Sequence, residues 1–272
     1  MDPSLLILTD FFQAANRALD YATNLARPLN ARLVLLHVRR DSILDPEMFT
    51  GEISNLSQEA IDLALNSVAR NLPVPVVAEV GHGRVAFAVA DAVVRHHPLL
   101  VVLGRPNYAD TPDELVQTTS LDVLRTAPYP MLVVPHGIGS TVPPRRVLLA
   151  VDGHPFTLGE HAGATHHLLT ALGVDITVFH VVPDTGPDEL PPIVLDSVTR
   201  TGLLADLPSA QCRTVVDGHA ATAILAAAQP ADFDMVILIA RHRSFMGSLF
   251  HRSVTARVML ESRVPVLVLP AQ

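Results

Sequence analysis

Five short apolar runs, separated by stretches of helical periodicity, fill the first half of the chain, and five more fill the second. In the first half they are Leu5–Leu8, Arg32–Val38, Val74–Val80, Leu99–Leu103 and Met131–Val134; in the second they lie near 146–151, 175–181, 211–216, 234–239 and 265–269. Each is rich in Val, Ile and Leu without strict alternation, the pattern of a parallel strand buried on both faces. Between the runs, apolar positions recur at helical spacing. Ala15, Ala18, Leu19, Ala22, Leu25 and Ala26 make one face, and Ile53, Leu56, Ala60, Ile61, Ala64 and Val68 make another. Val85–His96 and the stretch near 113–126 complete the helices of the first half. In the second half, Thr157-Leu-Gly-Glu160 reads as a capping box opening a helix. The next helix, near 193–205, is short and interrupted by Gly202.

The two halves are one unit written twice. LLILTD, ending at Asp10, answers VLLAVD, ending at Asp152; LVLLHV (His37, Val38) answers ITVFHV (His180, Val181); EVGHG (Gly81, His82) answers VDGHA (Gly218, His219). With Ser120/Ser253 and Pro135/Pro270 the offsets run 142, 143, 137, 133 and 135, in constant order, which marks an internal repeat. The Gly- and Pro-containing segment from Gly137 to Pro144 separates the copies, giving expected domains at 1–138 and 144–272. Alternating strands and helices predict an α/β fold of two tandem, doubly wound, five-stranded parallel sheets, Rossmann-like in connectivity. Ligands of such sheets bind outside the carboxyl ends of the strands, at the switch point. That nominates Thr9 to Phe11, Val38 to Arg40 and Gly104 to Pro106 in copy one. In copy two it nominates Asp152 to His154, Val181 with Val182, and Ala240 to Arg243.

Composition narrows the chemistry. A hydrophobic content of 49% in 272 residues is ample for two cores. No apolar stretch reaches the roughly 20 residues of a membrane span, and no basic segment precedes the first run as in a secretory signal. Cys212 is the single cysteine, so no intrachain disulfide forms, and a reducing, cytoplasmic setting is expected. All 19 basic residues are arginine, which excludes a Walker A loop and lysine-based covalent catalysis. A net charge of −8 argues against nucleic acid and anionic membrane as partners. The pairs His96-His97 and His166-His167 do not share a helix face, and no HExxH, Cys-His or G-x-S-x-G motif occurs. No metal ligand and no catalytic residue is nominated.

The strand-one aspartates in TDF and VDG, the LLHV and VFHV endings, and the closing strands YPMLVVP and VPVLVLP make the chain resemble a tandem universal stress protein over essentially its whole length. The resemblance implies an adenine-nucleotide-hydrolase-like fold, a part in stress response and, in some members, ATP as ligand. Asp10 and Asp152 match the position that contacts the nucleoside, and Val38 and Val181 the strand-two end that lies against adenine. The family's phosphate loop, G-x2-G-x9-G-S/T, follows strand four, where glycines let backbone amides approach phosphates. Both copies depart from it. Copy two holds Ala240, Arg243 and Arg252 at the glycine positions and keeps the hydroxyl of Ser253; copy one keeps Gly104 and Ser120 around a longer loop with Asp110, Asp113 and Glu114. Acidic residues there repel a triphosphate.

The ligand-contact candidates are therefore Asp152, Val181, Arg241, Arg243 and Ser253 in copy two, and Asp10, Val38 and Gly104 in copy one. Arg243 and Arg252, at glycine positions, either block the pocket or contact an anion directly, and Arg241-His242-Arg243 with Arg252 nearby is the best local anion-binding candidate, set against a solvated surface. Asp10 and Asp152 read equally as helix caps, and His37 and His180 as satisfied core histidines. Two functions stay open: a non-enzymatic ligand- or partner-binding stress module with degenerate nucleotide sites, or an ATP-binding, weakly ATP-hydrolysing protein using copy two. The closing strands expose apolar edges that invite pairing. Family dimers pair through this strand, so a tandem chain is expected to form an internal pseudo-dimer, with homodimerisation of whole chains as a further expectation.

Overall fold

Ten strands form close to the ten apolar runs. They are β1 (Ser4–Leu8), β2 (Arg32–Arg39), β3 (Val76–His82), β4 (Leu100–Arg105) and β5 (Met131–Pro135) in copy one, then β6 (Arg146–Val151), β7 (Asp175–Val182), β8 (Gln211–Val216), β9 (Met235–Arg241) and β10 (Val266–Ala271) in copy two. The computed structural model describes residues 3–11, 13–39, 58–107, 119–126, 128–182, 191–208, 210–241 and 253–272. All ten strands join one sheet in the order β3-β2-β1-β4-β5-β10-β9-β6-β7-β8. Within each copy every neighbouring pair is parallel. The copies meet where β5 and β10 run antiparallel, with Val133 opposite Val266 and Met131 opposite Val268. The apolar closing strands thus cover each other's edges.

Eight helices are present among the described residues, four on each face of the sheet. In chain order they are α1 (Gln13–Ala26), α2 (Gln58–Asn71), α3 (Val85–His96), α4 (Thr119–Thr126), α5 (Ala162–Leu172), α6 (Pro191–Thr199), α7 (Ala220–Ala227) and α8 (Val254–Glu261). Helices α1, α2, α5 and α6 bury their apolar positions in one core layer, and α3, α4, α7 and α8 in the other. This two-sided cover explains why the strands are apolar throughout. All six positions of the first expected helical face are buried in α1. Of the second, Ala60, Ile61, Ala64 and Val68 lie on α2, while Ile53 and Leu56 fall outside the described residues.

The capping box at Thr157 does not form. Gly159 takes φ +53, a left-handed conformation that cannot sit in a first helical turn, and Thr157 Oγ1 accepts from Gly159 N (3.2 Å). A short 3₁₀ turn at Gly159–His161 follows, and α5 starts only at Ala162. Gly202 (φ +74) lies in the turns that follow α6.

Contacts across the β5–β10 seam are specific. Arg105, ending β4, donates from Nη1 to Met259 O (2.8 Å) and from Nη2 to Ser262 O (2.6 Å), so an arginine of copy one caps the last carbonyls of α8 in copy two. Within copy two, Thr157 and Gln272 exchange backbone hydrogen bonds of 3.3 and 3.0 Å, and Asn24 of α1 anchors the linker by donating to Thr141 O at 3.1 Å.

Candidate functional site

Strand register fixes which residues of the two copies correspond. β1 meets β4 with Leu5 opposite Leu100, and β6 meets β9 with Val147 opposite Met235. With Asp10 matched to Asp152, register places Gly104 at the level of Ile239, Arg105 at that of Ala240, and Pro106 at that of Arg241. Reading the repeat along the chain pairs Gly104 with Ala240 instead, one residue out. A one-residue slip reverses the face of the sheet. Arg105 therefore reaches the α8 side, whereas Arg241 turns the other way.

In copy two the structure brings Asp152 and Arg241 together. Arg241 Nε donates to Asp152 Oδ2 and Nη2 to Oδ1, both at 2.9 Å, a bidentate fork. Nη1 also donates to Pro155 O (3.0 Å) and Nη2 to His154 O (2.9 Å). Arg241 thus makes four hydrogen bonds with its five N–H donors and ties the loop after β6 to the end of β9. Asp152 Oδ1 further accepts from His154 N (3.1 Å), a tight turn that Gly153 permits with φ +78. The aspartate serves this turn and the arginine, not the start of α5. Burial works to raise the Asp152 pKa, but the hydrogen bonds and charge of Arg241 outweigh it and hold the carboxyl below its ordinary value.

Ser253 is the N-cap of α8, its Oγ accepting from Ala256 N (3.1 Å). Val181 is half-buried against the core layer of α7 and α8, and Val38 takes the matching place in copy one. Arg243, with His242 and Arg252, lies outside the described residues, as do Asp110, Asp113 and Glu114.

Copy one is built differently. Asp10 is exposed, and Phe11 next to it holds φ +65, an uncommon conformation for a bulky residue. Its ring lies 5.0 Å from that of His37, whose Nδ1 donates to Thr9 O (2.9 Å). Thr9 Oγ1 accepts from Phe11 N (3.2 Å). Gly104 owes its missing side chain to packing: a Cβ there would collide with the Ala14 carbonyl and lie 2.9 Å from Ala15 N. The first turn of α1 occupies that space, so the glycine is accounted for without a phosphate.

The Gly-His motifs also part company. Gly81 and His82 lie within β3, where a Cβ on Gly81 would come 3.0 Å from Ala88 Cβ of α3, and the turn residue is Gly83 (φ +83). Gly218 and His219 come after β8, with His219 N bonded to Asp217 Oδ1 (2.7 Å), so turn geometry explains the motif only in copy two. His37 is a satisfied core histidine. His180, 4% exposed, is equally buried, but its Nδ1 has no partner among the described residues. Thr9 and Pro155 contribute to these arrangements through backbone or hydroxyl atoms, for which no motif exists. Among the described residues no group of three His, Cys, Asp or Glu could hold a metal, and no helix is long and apolar enough to cross a membrane.

The universal stress protein family model matches residues 3–135 and 144–270. Among solved structures, a universal stress protein from Archaeoglobus fulgidus is 17% identical and matches over 99% of both chains with a TM-score of 0.76. A functionally unknown protein from Pseudomonas aeruginosa is 16% identical over 98% of this chain and 92% of its own, with a TM-score of 0.60. The cytoplasmic domain of a prokaryotic cation chloride cotransporter is 10% identical over 100% of this chain and 95% of its own, also at 0.60. At these identities the likeness is one of fold. No match is found among curated protein sequences.

Proposed function

The chain belongs to the universal stress protein family, and from that premise we propose that it serves in stress response, in the cytoplasm, as a non-enzymatic binding module whose nucleotide sites are degenerate. The Asp152–Arg241 pair carries this reading. A nucleoside approaching Asp152 must displace a bidentate guanidinium, and an incoming phosphate finds that guanidinium already engaged by four acceptors. The residues at hand therefore fit a triphosphate poorly. Copy one supports the same reading, because Gly104 is filled by the backbone of α1 instead of standing open to a ligand. After β4 and β9 the sequence lacks the family's run of glycines, the feature that lets backbone amides approach phosphates closely.

The test is a thermal-shift titration of the intact chain with Mg²⁺-ATP, alongside Arg241→Ala and Asp152→Ala. A site filled at a hundredfold excess over its Kd stabilises by about 2.7 kcal/mol, a rise of about 5–11 °C for a chain of this size. The wild-type protein is expected to show no such rise. Arg241→Ala, which exposes Asp152, is expected to gain whatever nucleotide response the cleft can support. A wild-type shift of the full size that disappears in Asp152→Ala would overturn the proposal and establish copy two as an ATP site.

A further inference from the structure

Copy two leaves polar atoms unpaired where copy one satisfies or replaces them. His37 and His180 occupy the same register position, opposite Val80 on β3 and opposite Thr214 on β8 respectively. In copy one, Nδ1 of His37 bonds Thr9 O at 2.9 Å, Val80 is apolar, and the Phe11 ring lies 5.0 Å from the imidazole. In copy two, Nδ1 of His180 and Oγ1 of Thr214 are both buried without a hydrogen-bond partner at ordinary geometry among the described residues, the nearby Cys212 thiol being only a weak competitor for the hydroxyl. Gly153 stands in place of Phe11, so the covering ring is missing as well.

Residues directly opposed on neighbouring strands send their side chains to the same face, about 5 Å apart. That face is the one α5 and α6 cover, since Val178 and Cys212, two residues earlier on each strand, both belong to its core layer. It is the opposite face from Val181 and α8 and the same face that Arg241 takes, with His180 lying opposite Val151 at the end of β6. Two adjacent buried orphans are costly to leave unpaired, and native interiors almost always satisfy them with protein or an ordered molecule. An imidazole nitrogen and a hydroxyl can between them both donate and accept, and among the described residues neither has a charged partner. Val194 and Val198 of α6, each 0% exposed, pack into the same layer and limit the guest to small size.

We propose that copy two holds one small uncharged hydroxylic guest, a water molecule, between the β7–β8 ladder and α6, bridging His180 Nδ1 and Thr214 Oγ1. Copy one has no such site, because Thr9 O and Val80 take the places of guest and hydroxyl. The probe is water itself, observed in the intact chain by rotating-frame cross-relaxation to the His180 ring and Thr214 side-chain protons. His37 is the internal control. A long-lived water cross-peak is expected at His180 and not at His37. Thr214→Val is expected to abolish that peak and to lower Tm by about 2–4 °C, because it strands the imidazole nitrogen. Absence of the peak in the wild type, including the case of a direct His180–Thr214 hydrogen bond, overturns the proposal. So does a Thr214→Val variant whose Tm is unchanged or raised, since removing an orphan costs nothing.

Discussion

Gly104 separates the two explanations of a glycine after strand four. If it exists to let a phosphate approach, alanine there should spare the fold and harm only ligand binding. If it exists to let α1 approach β4, alanine should harm the fold itself. The added Cβ would collide with the Ala14 carbonyl and lie 2.9 Å from Ala15 N, against an ordinary contact of about 3.5 Å. Both obstacles are backbone, so no side-chain rotation relieves them. The 14-residue α1 must retreat as a unit, and it buries Ala18, Leu19, Tyr21, Ala22 and Leu25. Overpacking a core costs about 1–3 kcal/mol, and a rigid obstacle places Gly104→Ala near the upper end. That corresponds to a fall in Tm of about 6–12 °C. Gly139→Ala is the control, since a Cβ there meets nothing within 4 Å. The assay is thermal and urea unfolding without nucleotide. A loss below about 1 kcal/mol, or a variant of intact Tm with altered ligand binding, would refute the packing argument.

Three further outcomes follow from the contacts described. Asp152→Asn is expected to destabilise the chain at pH 7 by no more than about 1 kcal/mol, since the pair is half-exposed. Because the folded pKa of Asp152 is depressed, this contribution is full above the unfolded value near 3.8 and fades as pH falls through the folded one, so unfolding curves of variant and wild type should converge in acid. Arg105→Ala is expected to cost about 1–3 kcal/mol by leaving the carbonyls of Met259 and Ser262 uncapped. Its signature is faster amide hydrogen exchange in α8, in the other copy from the mutation; unchanged exchange there would show that the cap carries no load across the seam. Burial raises the Cys212 thiol pKa, with the nearby Thr214 hydroxyl pulling weakly the other way, so labelling by a thiol reagent at pH 7 should be slow until the protein unfolds.

The strands and the doubling were readable because parallel strands buried on both faces announce themselves as continuous apolar runs, and because a repeat needs only order and spacing. What escaped was register. Along the chain Gly104 answers Ala240, yet hydrogen-bond pairing sets it at the level of Ile239, and this single slip sends Arg105 across the seam and Arg241 back onto Asp152. Asp152 and Arg241 were each recognisable as cleft residues. Their union, across 89 positions, depends on β6 and β9 being neighbours, which no local pattern encodes. The capping box failed for a local reason that propensity underrates: one left-handed glycine inside the motif outweighs the hydroxyl and the carboxylate flanking it.

The same distinction explains why the two strand-one ends are built differently while keeping their landmarks. Asp10 and Asp152 mark the same strand end, but what each does is decided by the neighbour that register supplies. Copy one places Pro106, which has no side-chain donor, at the level where copy two places Arg241, and Arg241 ties Asp152 down. Phe11 covers His37, whereas Gly153 stands in its place in copy two, and among the described residues Nδ1 of His180 has no partner. The β5–β10 pairing joins these unequal halves into one sheet. Stability of the scaffold, under this arrangement, rests on positions that bridge elements, Gly104 between β4 and α1 and Arg105 between β4 and α8.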